Sequence, residues 1–316
     1  MTVPAVPPVR DENRRGRWRR SALVRAVVDR RPATVGALLI AGFVLLALAA
    51  PLITRITGQD PYTYDKTALD PASGLPAGPL GGISAEHWFG VEPLTGRDVF
   101  AIVAHGARTS FLIGVLATAV AVVLGVALGA SAGYFGGWWD RAVGWTGDVL
   151  FGFPYLVFMI ALSAVAPPSI PQTLLLVVVI GFFGWPRVAR VVRSATLGVA
   201  RRDFVRASQV MGSPPWRTLT RRVLPNLWGP VVVVATLSIP ERIGLEAALS
   251  FLGVGVRQPT PSWGRSISEA IAWVQTDPML LVFPGLALFG ATLAFNLLGD
   301  GLRDALDPRT AREGAH

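Results

Sequence analysis

Six stretches of the chain, 33–54, 110–133, 149–166, 170–187, 228–252 and 279–299, are apolar over lengths that suit a membrane-spanning helix. A helix rises 1.5 Å per residue, so about 20 residues cross the ~30 Å hydrocarbon core of a bilayer. Helices are expected throughout, because lipid offers a backbone polar group no partner outside its own segment. The third and fourth stretches are short, and Pro167, Pro168 and Pro171 between them read as a tight turn. Glu241, Arg242 and Glu246 interrupt the fifth. The pattern predicts an all-α, polytopic membrane protein with about six transmembrane helices.

Composition agrees. The 316 residues are 52% hydrophobic and 16% charged, with a mean hydropathy of +0.49. Globular domains carry about a quarter charged residues. There is no cysteine, which excludes disulfides and thiolate metal sites, and the three histidines, His87, His105 and His316, lack metal-ligand spacing. The first apolar stretch is too long for the apolar core of a cleaved signal and is read as a span that stays.

Charge placement orients the chain. The net charge is +9, and of 29 basic side chains only Lys66 is a lysine. Nine arginines lie between Arg10 and Arg31, and nine more lie in 187–226 (Arg187, Arg190, Arg193, Arg201, Arg202, Arg206, Arg217, Arg221, Arg222) against one acid, Asp203. With six spans both groups fall on one side, which the positive-inside bias makes cytoplasmic. The Pro- and Gly-rich loop 55–109 falls outside, and both termini fall inside. The basic groups border apolar spans rather than forming a soluble basic domain, so membrane lipid, not nucleic acid, is the expected partner. The expected organisation is an Arg-rich cytoplasmic tail 1–32, a first helix 33–54, an extracytoplasmic loop 55–109, a core 110–304 with a cytoplasmic loop 188–226, and a tail 305–316. The first tail is read as an anchor on anionic lipid.

The segment 201–226, RRDFVRASQVMGSPPWRTLTRRVLPN, predicts two short helices about a hinge. Phe204, Ala207, Ser208 and Met211 share one helical face. Gly212 suits a left-handed helix end. Ser213 and Pro214 suit the cap and first turn of the next helix, which Pro225 ends. A loop of this length with its own helices is usually functional rather than plain solvated chain. Docking of a partner is therefore expected.

Here the sequence resembles a known family. Arg206-Ala207-Ser208, then Gly212, then Arg222-Val223-Leu224-Pro225 is similar to the EAA loop of ABC importer permeases, whose pattern is EAA, three residues, Gly, nine residues, I-x-L-P. Ala207, Gly212, Leu224 and Pro225 match; Arg206 stands in place of the glutamate and Ser208 in place of the second alanine. Three more segments resemble the dipeptide/oligopeptide (DppC/OppC-like) branch. They are His87-Trp88-Phe89-Gly90 through Gly96-Arg97-Asp98-Val99 to Gly106-Ala107-Arg108, then Gly133-Tyr134-Phe135-Gly136-Gly137-Trp138-Trp139-Asp140-Arg141, and Glu246-Ala247-Ala248-Leu249-Ser250-Phe251-Leu252-Gly253 followed by Pro261-Ser262-Trp263-Gly264.

The resemblance covers roughly 33–308 and implies the type I ABC importer permease (MetI-like) fold. It implies a second homologous permease subunit (DppB/OppB-like), one or two ABC ATPase domains on the cytoplasmic loops, and an extracytoplasmic substrate-binding protein. The cargo implied is a dipeptide or oligopeptide; nickel, glutathione and haem systems share the branch. Phe204, Arg206, Ala207, Ser208, Met211, Gly212, Leu224 and Pro225 are then the ATPase-coupling loop.

The residues agree that the motor lies elsewhere. A Walker A loop needs Gly-Lys-Ser/Thr, and the only lysine sits in Tyr64-Asp65-Lys66-Thr67. No cofactor is expected in this chain; ATP and Mg belong to a partner ATPase, and the chain is not expected to be an enzyme. Glu241, Arg242 and Glu246 would each cost about 2.5–3.5 kcal/mol facing lipid. They are candidates for the pathway or for a subunit contact, with Arg242 and Glu246 spaced to pair and Pro240 set to bend the helix. The alternative is a wet interface at a span end. Gly125, Gly129 and Gly133 recur at the spacing of close helix packing. Trp88, Trp138, Trp139, Trp145, Trp185, Trp228, Trp263 and Trp273 cluster near span ends, as an aromatic belt would.

Two other classes compete. A self-contained secondary transporter predicts inverted repeats and coupling carboxylates at the midplane; no repeat is evident and the intramembrane acids sit in one span. A membrane-embedded enzyme needs a nucleophile and base, or a metal cluster, within the spans; no cysteine or histidine lies at a span centre.

Overall fold

The computed structural model describes residues 30–167 and 169–306, so most of the tail 1–32 and of the tail 305–316 lies outside the described residues. The helices are α1 (Arg31–Thr57), α2 (Val99–Phe135), α3 (Gly137–Gly152), α4 (Tyr155–Val165), α5 (Gln172–Ala200), α6 (Asp203–Val210), α7 (Pro215–Thr218), α8 (Trp228–Phe251), α9 (Trp263–Ala270) and α10 (Met279–Leu306). Four, α1, α2, α5 and α10, are each long and apolar enough to cross a membrane. The bent pairs α3 with α4, and Pro215–Asn226 with α8, raise the number to six when each pair counts as one span.

Helix ends depart from the hydropathy pattern where polar side chains extend or break the helix. α2 begins at Val99, inside the expected loop 55–109, because Asp98 caps it: Oδ1 accepts from the Ala101 amide at 2.6 Å. α5 continues to Ala200, so Arg187, Arg190 and Arg193 stand on a helix rather than in a loop. Two of these arginines reach back to α3: Arg190 Nη2 donates to Asp148 at 2.5 Å and Arg193 Nη2 to Asp140 at 2.6 Å.

The third span is broken by 77° between α3 and α4. Pro154 has no N–H to donate and confines Phe153 to extended backbone at ψ 129°. In contrast, α8 passes through Pro240 as one helix, and its bend of 62° lies at its start, against Pro215–Asn226. Pro240 thus lies inside an unbroken helix and does not end it.

The centre of the bundle is α2 against α5. A Cβ at Gly129 would lie 2.4 Å from the Ala189 carbonyl, and one at Gly125 would lie 2.5 Å from the Val188 side chain. The glycine stripe therefore meets a helix of its own chain, backbone to backbone. α10 packs on α1 in the same way, with Gly36 over the Ala294 carbonyl. Phe43, Phe111, Trp263 and Phe295 join α1, α2, α9 and α10 in one apolar cluster.

Residues 58–98 cover one end of the bundle. Arg97 grips Glu92 with two hydrogen bonds, 2.7 and 2.9 Å, and His87 Nδ1 lies 2.9 Å from Asp98. Trp263 is fully buried and its Nε1–H donates to the Val103 carbonyl at 2.9 Å. Trp185 is buried too. These two belong to the core rather than the aromatic belt, because their rings fill gaps beside small residues; Trp138 and Trp145 are exposed as expected.

Candidate functional site

Among the described residues, two places bear on the sequence-predicted site residues. The first is the hinged segment at the arginine-rich end. α6 closes with a complete Schellman motif: the Gly212 amide donates to the Gln209 carbonyl at 2.9 Å and the Ser213 amide to the Ser208 carbonyl at 3.1 Å. Gly212 takes φ +75°, as that motif requires. The cap of α7 is Pro214, not Ser213, because the Ser213 backbone is already used in closing α6. α7 then runs on through a π turn, Leu219–Val223, and a short 3-10 turn, Leu224–Asn226, into α8.

The expected face of α6 is split. Ser208 is buried, whereas Phe204, Ala207 and Met211 are exposed, because Val205 is the residue turned inward. Val205, Leu219, Val223 and Leu227 pack with Val188, Val192 and Val199 of α5 and Ala130 of α2. The segment is clamped to the ends of three spans while its outer side stays apolar. On that side Met211 is 75% exposed and Val210 88%, with Phe204 and Trp216 nearby in sequence and also exposed. Arg206 is exposed among them, and Leu224 and Pro225 are half-buried.

The second place is the middle of α8. Arg187 Nη1 on α5 donates to Glu241 Oε2 at 2.6 Å, and Arg242 Nη1 lies 3.6 Å from the same oxygen. Arg242 is 2% exposed; its other bonds are long, 3.4 Å to the Ser238 carbonyl and 3.3 Å to the Gly184 carbonyl. Two cavities flank the Arg187–Glu241 pair and share both residues as wall. One, about 560 Å³, lies between α5, α8 and α10 and reaches Arg303 and Leu306. The other, about 210 Å³, is lined by aromatic rings of α3, α4 and α5 together with Arg242.

Glu246 does not pair with Arg242. It is fully buried and accepts from Ser250 Oγ at 2.8 Å and Ser110 Oγ at 3.0 Å. The expected i, i+4 pair fails because α2 brings Ser110 to one side of the helix while α5 draws Arg242 to another.

Residues 125–312 match the family model described as binding-protein-dependent transport system inner membrane component. The chain belongs to that family. Over 277 residues, 88% of this chain and 86% of the relative, it is 36% identical to the dipeptide transport system permease protein DppC of Alkalihalophilus pseudofirmus. It is 35% identical over 304 residues to the glutathione transport system permease protein GsiD of Pectobacterium atrosepticum, covering 96% and 95% of the two chains. The GsiD protein of Escherichia coli is 38% identical over 277 residues, with 88% and 86% covered.

The protein is a transmembrane permease subunit of an ABC importer, with the helical MetI-like permease fold and several membrane spans. As an inner membrane component it works within a binding-protein-dependent transport system rather than alone. The reading as a self-contained transporter is thereby set aside. In this permease the structure brings Glu241 and Arg242 to one cluster and puts Glu246 in another. Sequence reasoning missed Arg187, which was counted with the loop arginines, and Tyr155, Trp216 and Val210. Nothing in a single sequence pairs α5 with α8, so no signal pointed to Arg187.

Proposed function

We propose that this permease imports dipeptides and short oligopeptides, forming half of a pathway with a second, homologous permease subunit of the DppB/OppB type. The observation that carries the cargo reading is the 36% identity, over 88% of the chain, to a relative named for dipeptide transport. In this reading the arginine-rich end is cytoplasmic and both termini are inside, on the positive-inside argument. The segment 55–109 is extracytoplasmic and meets the substrate-binding protein. The tails 1–32 and 305–316 are cytoplasmic, the first held to lipid by its arginines.

The hinged segment within 188–226 is the ATPase-coupling loop. Its exposed Phe204, Met211 and Trp216 beside Arg206 suit insertion into a cleft on an ABC ATPase, which binds ATP and Mg. Ala207, Ser208 and Gly212 set the turn, and Leu224 and Pro225 set its junction with α8. The inward-facing side of the segment, Val205 to Leu227, transmits the ATPase motion to α2, α5 and α8. α8 carries that motion to Glu241 and Arg242, which line the pathway, while Glu246 holds the helix in place.

The test is reconstitution with the partner subunits in vesicles, reading ATP-driven uptake of labelled dialanine. Uptake by this chain alone, driven by an ion gradient, would sink the proposal. Gly212→Val forces a β-branched residue into φ +75° and is expected to abolish coupled ATP hydrolysis while membrane insertion persists. Unchanged ATPase binding and uptake would remove the coupling assignment. A second reading, glutathione as cargo, is favoured by the 38% identity to GsiD; competition between glutathione and dialanine separates the two.

A further inference from the structure

Two residues that line one cavity each hold a buried hydrogen-bond donor without a partner. The Nε–H of Arg242 and the hydroxyl of Tyr155 are each buried without a partner, and both residues line the cavity of about 210 Å³. Buried donors of this kind are rare in folded proteins, and a charged one is costly to leave alone. The local charge is also unbalanced. Arg187 and Glu241 cancel each other, which leaves the Arg242 guanidinium as a surplus positive charge. Glu246, the next acid on the helix, is held by serines and offers Arg242 nothing. Apart from Arg187 and Glu241, the rest of the wall is apolar and aromatic, including Phe153, Phe183 and Leu245.

We propose that Arg242 and Tyr155 form a carboxylate-recognition site within the translocation pathway, which takes the C-terminal carboxylate of a peptide in transit. The site rests on the reading that α8 lines that pathway. A carboxylate has two oxygens that accept from a guanidinium edge and a phenol hydroxyl together, and charge-assisted bonds of this type are the strong ones. The aromatic wall accepts the side chain of the last residue, whose apolar atoms gain by leaving water. Glu241 is the built-in competitor. Its carboxylate stands 3.6 Å from Arg242 while bonded to Arg187 at 2.6 Å. Motion of α8 against α5 breaks the Arg187 bond, turns Glu241 to Arg242 and displaces the cargo's carboxylate towards the 560 Å³ cavity. Recognition and release then use the same cation.

The test uses the purified complete transporter without its binding protein, and two probes, radiolabelled dialanine and its C-terminal amide, in equilibrium binding. Dialanine is expected to bind about tenfold tighter or more, the usual worth of one charge-assisted bond in a dry site. Tyr155→Phe and Arg242→Lys each lower that ratio several-fold by weakening dialanine and leaving the amide unchanged. Glu241→Gln, which removes the competitor, raises dialanine affinity. Equal binding of the two probes, no saturable dialanine binding, or a ratio unmoved by both variants overturns the site. ATP-driven uptake with the binding protein present is measured in parallel. Uptake that persists while the ratio is flat rejects the carboxylate site alone; absent uptake of any peptide rejects the importer reading of the cargo.

Discussion

Arg242 and Glu246 stand one turn apart on the same helix, both cut off from water, yet they are treated in opposite ways. Glu246 is fully buried and both of its oxygens are used, one by Ser110 from α2 and one by Ser250 from its own next turn. Ser110 Oγ also lies 3.4 Å from the Trp263 amide at the start of α9, so the cradle ties three helices together. Arg242 is 2% exposed, holds two carbonyls at long range and leaves Nε–H alone beside a cavity. A buried polar group with every site satisfied fixes structure; one with a donor unpaired still has that bond to make. Burial by itself does not tell the two apart.

The largest effect expected from this contrast is at Glu246. Glu246→Ala orphans two serine hydroxyls and opens a hole, at a cost of about 3 kcal/mol or more. The thermal midpoint of the purified complex should fall sharply, and a midpoint within a degree of wild type would break the comparison. Gly184→Ala is next. A Cβ there would lie 2.0 Å from Arg242 Nη2, the far end of a flexible side chain, with Ala121 at 3.3 Å. The guanidinium is pushed aside for about 1–2 kcal/mol of stability. Discrimination between a peptide acid and its amide should drop more than the midpoint does.

Ser250→Ala removes one donor to Glu246 and should cost about 1 kcal/mol. The double variant with Ser110→Ala should cost more than the sum, since the carboxyl group then loses both of these donors; strict additivity in thermal melts would argue against a shared cradle. The smallest effect is expected at Arg242→Met. An isolated buried cation replaced by an apolar chain of similar length is near neutral, within about 1 kcal/mol. A loss as large as that of Glu246→Ala would show that Arg242, too, is a structural group.

Much of this was legible beforehand. The six apolar stretches fall on the four long apolar helices and the two bent pairs, four to six candidate spans. Gly212 in a left-handed turn followed from the Gly-Ser-Pro-Pro sequence, because few other residues tolerate that backbone. The inward face of α6 was harder. Phe204 and Met211 look like core by hydrophobicity, yet Val205 is buried and they are not, since what lies opposite a short helix is set by α2 and α5. A short amphipathic helix whose apolar residues exceed its buried ones is itself a sign of a missing partner.

The sequence alone decided which segments enter the membrane, where the chain must turn and which end collects arginine. Those features follow from local rules: the length of an apolar run against bilayer thickness, the backbone limits of proline and glycine, and charge beside spans. Only the tertiary structure decided that the glycines of α2 meet α5, that Glu246 accepts from Ser110 of α2, and that Arg187 of α5 is the nearer partner of Glu241. Each of these joins residues from different helices. Their pairing depends on crossing angles and on which rotamers fit between packed backbones, and one-dimensional spacing carries neither.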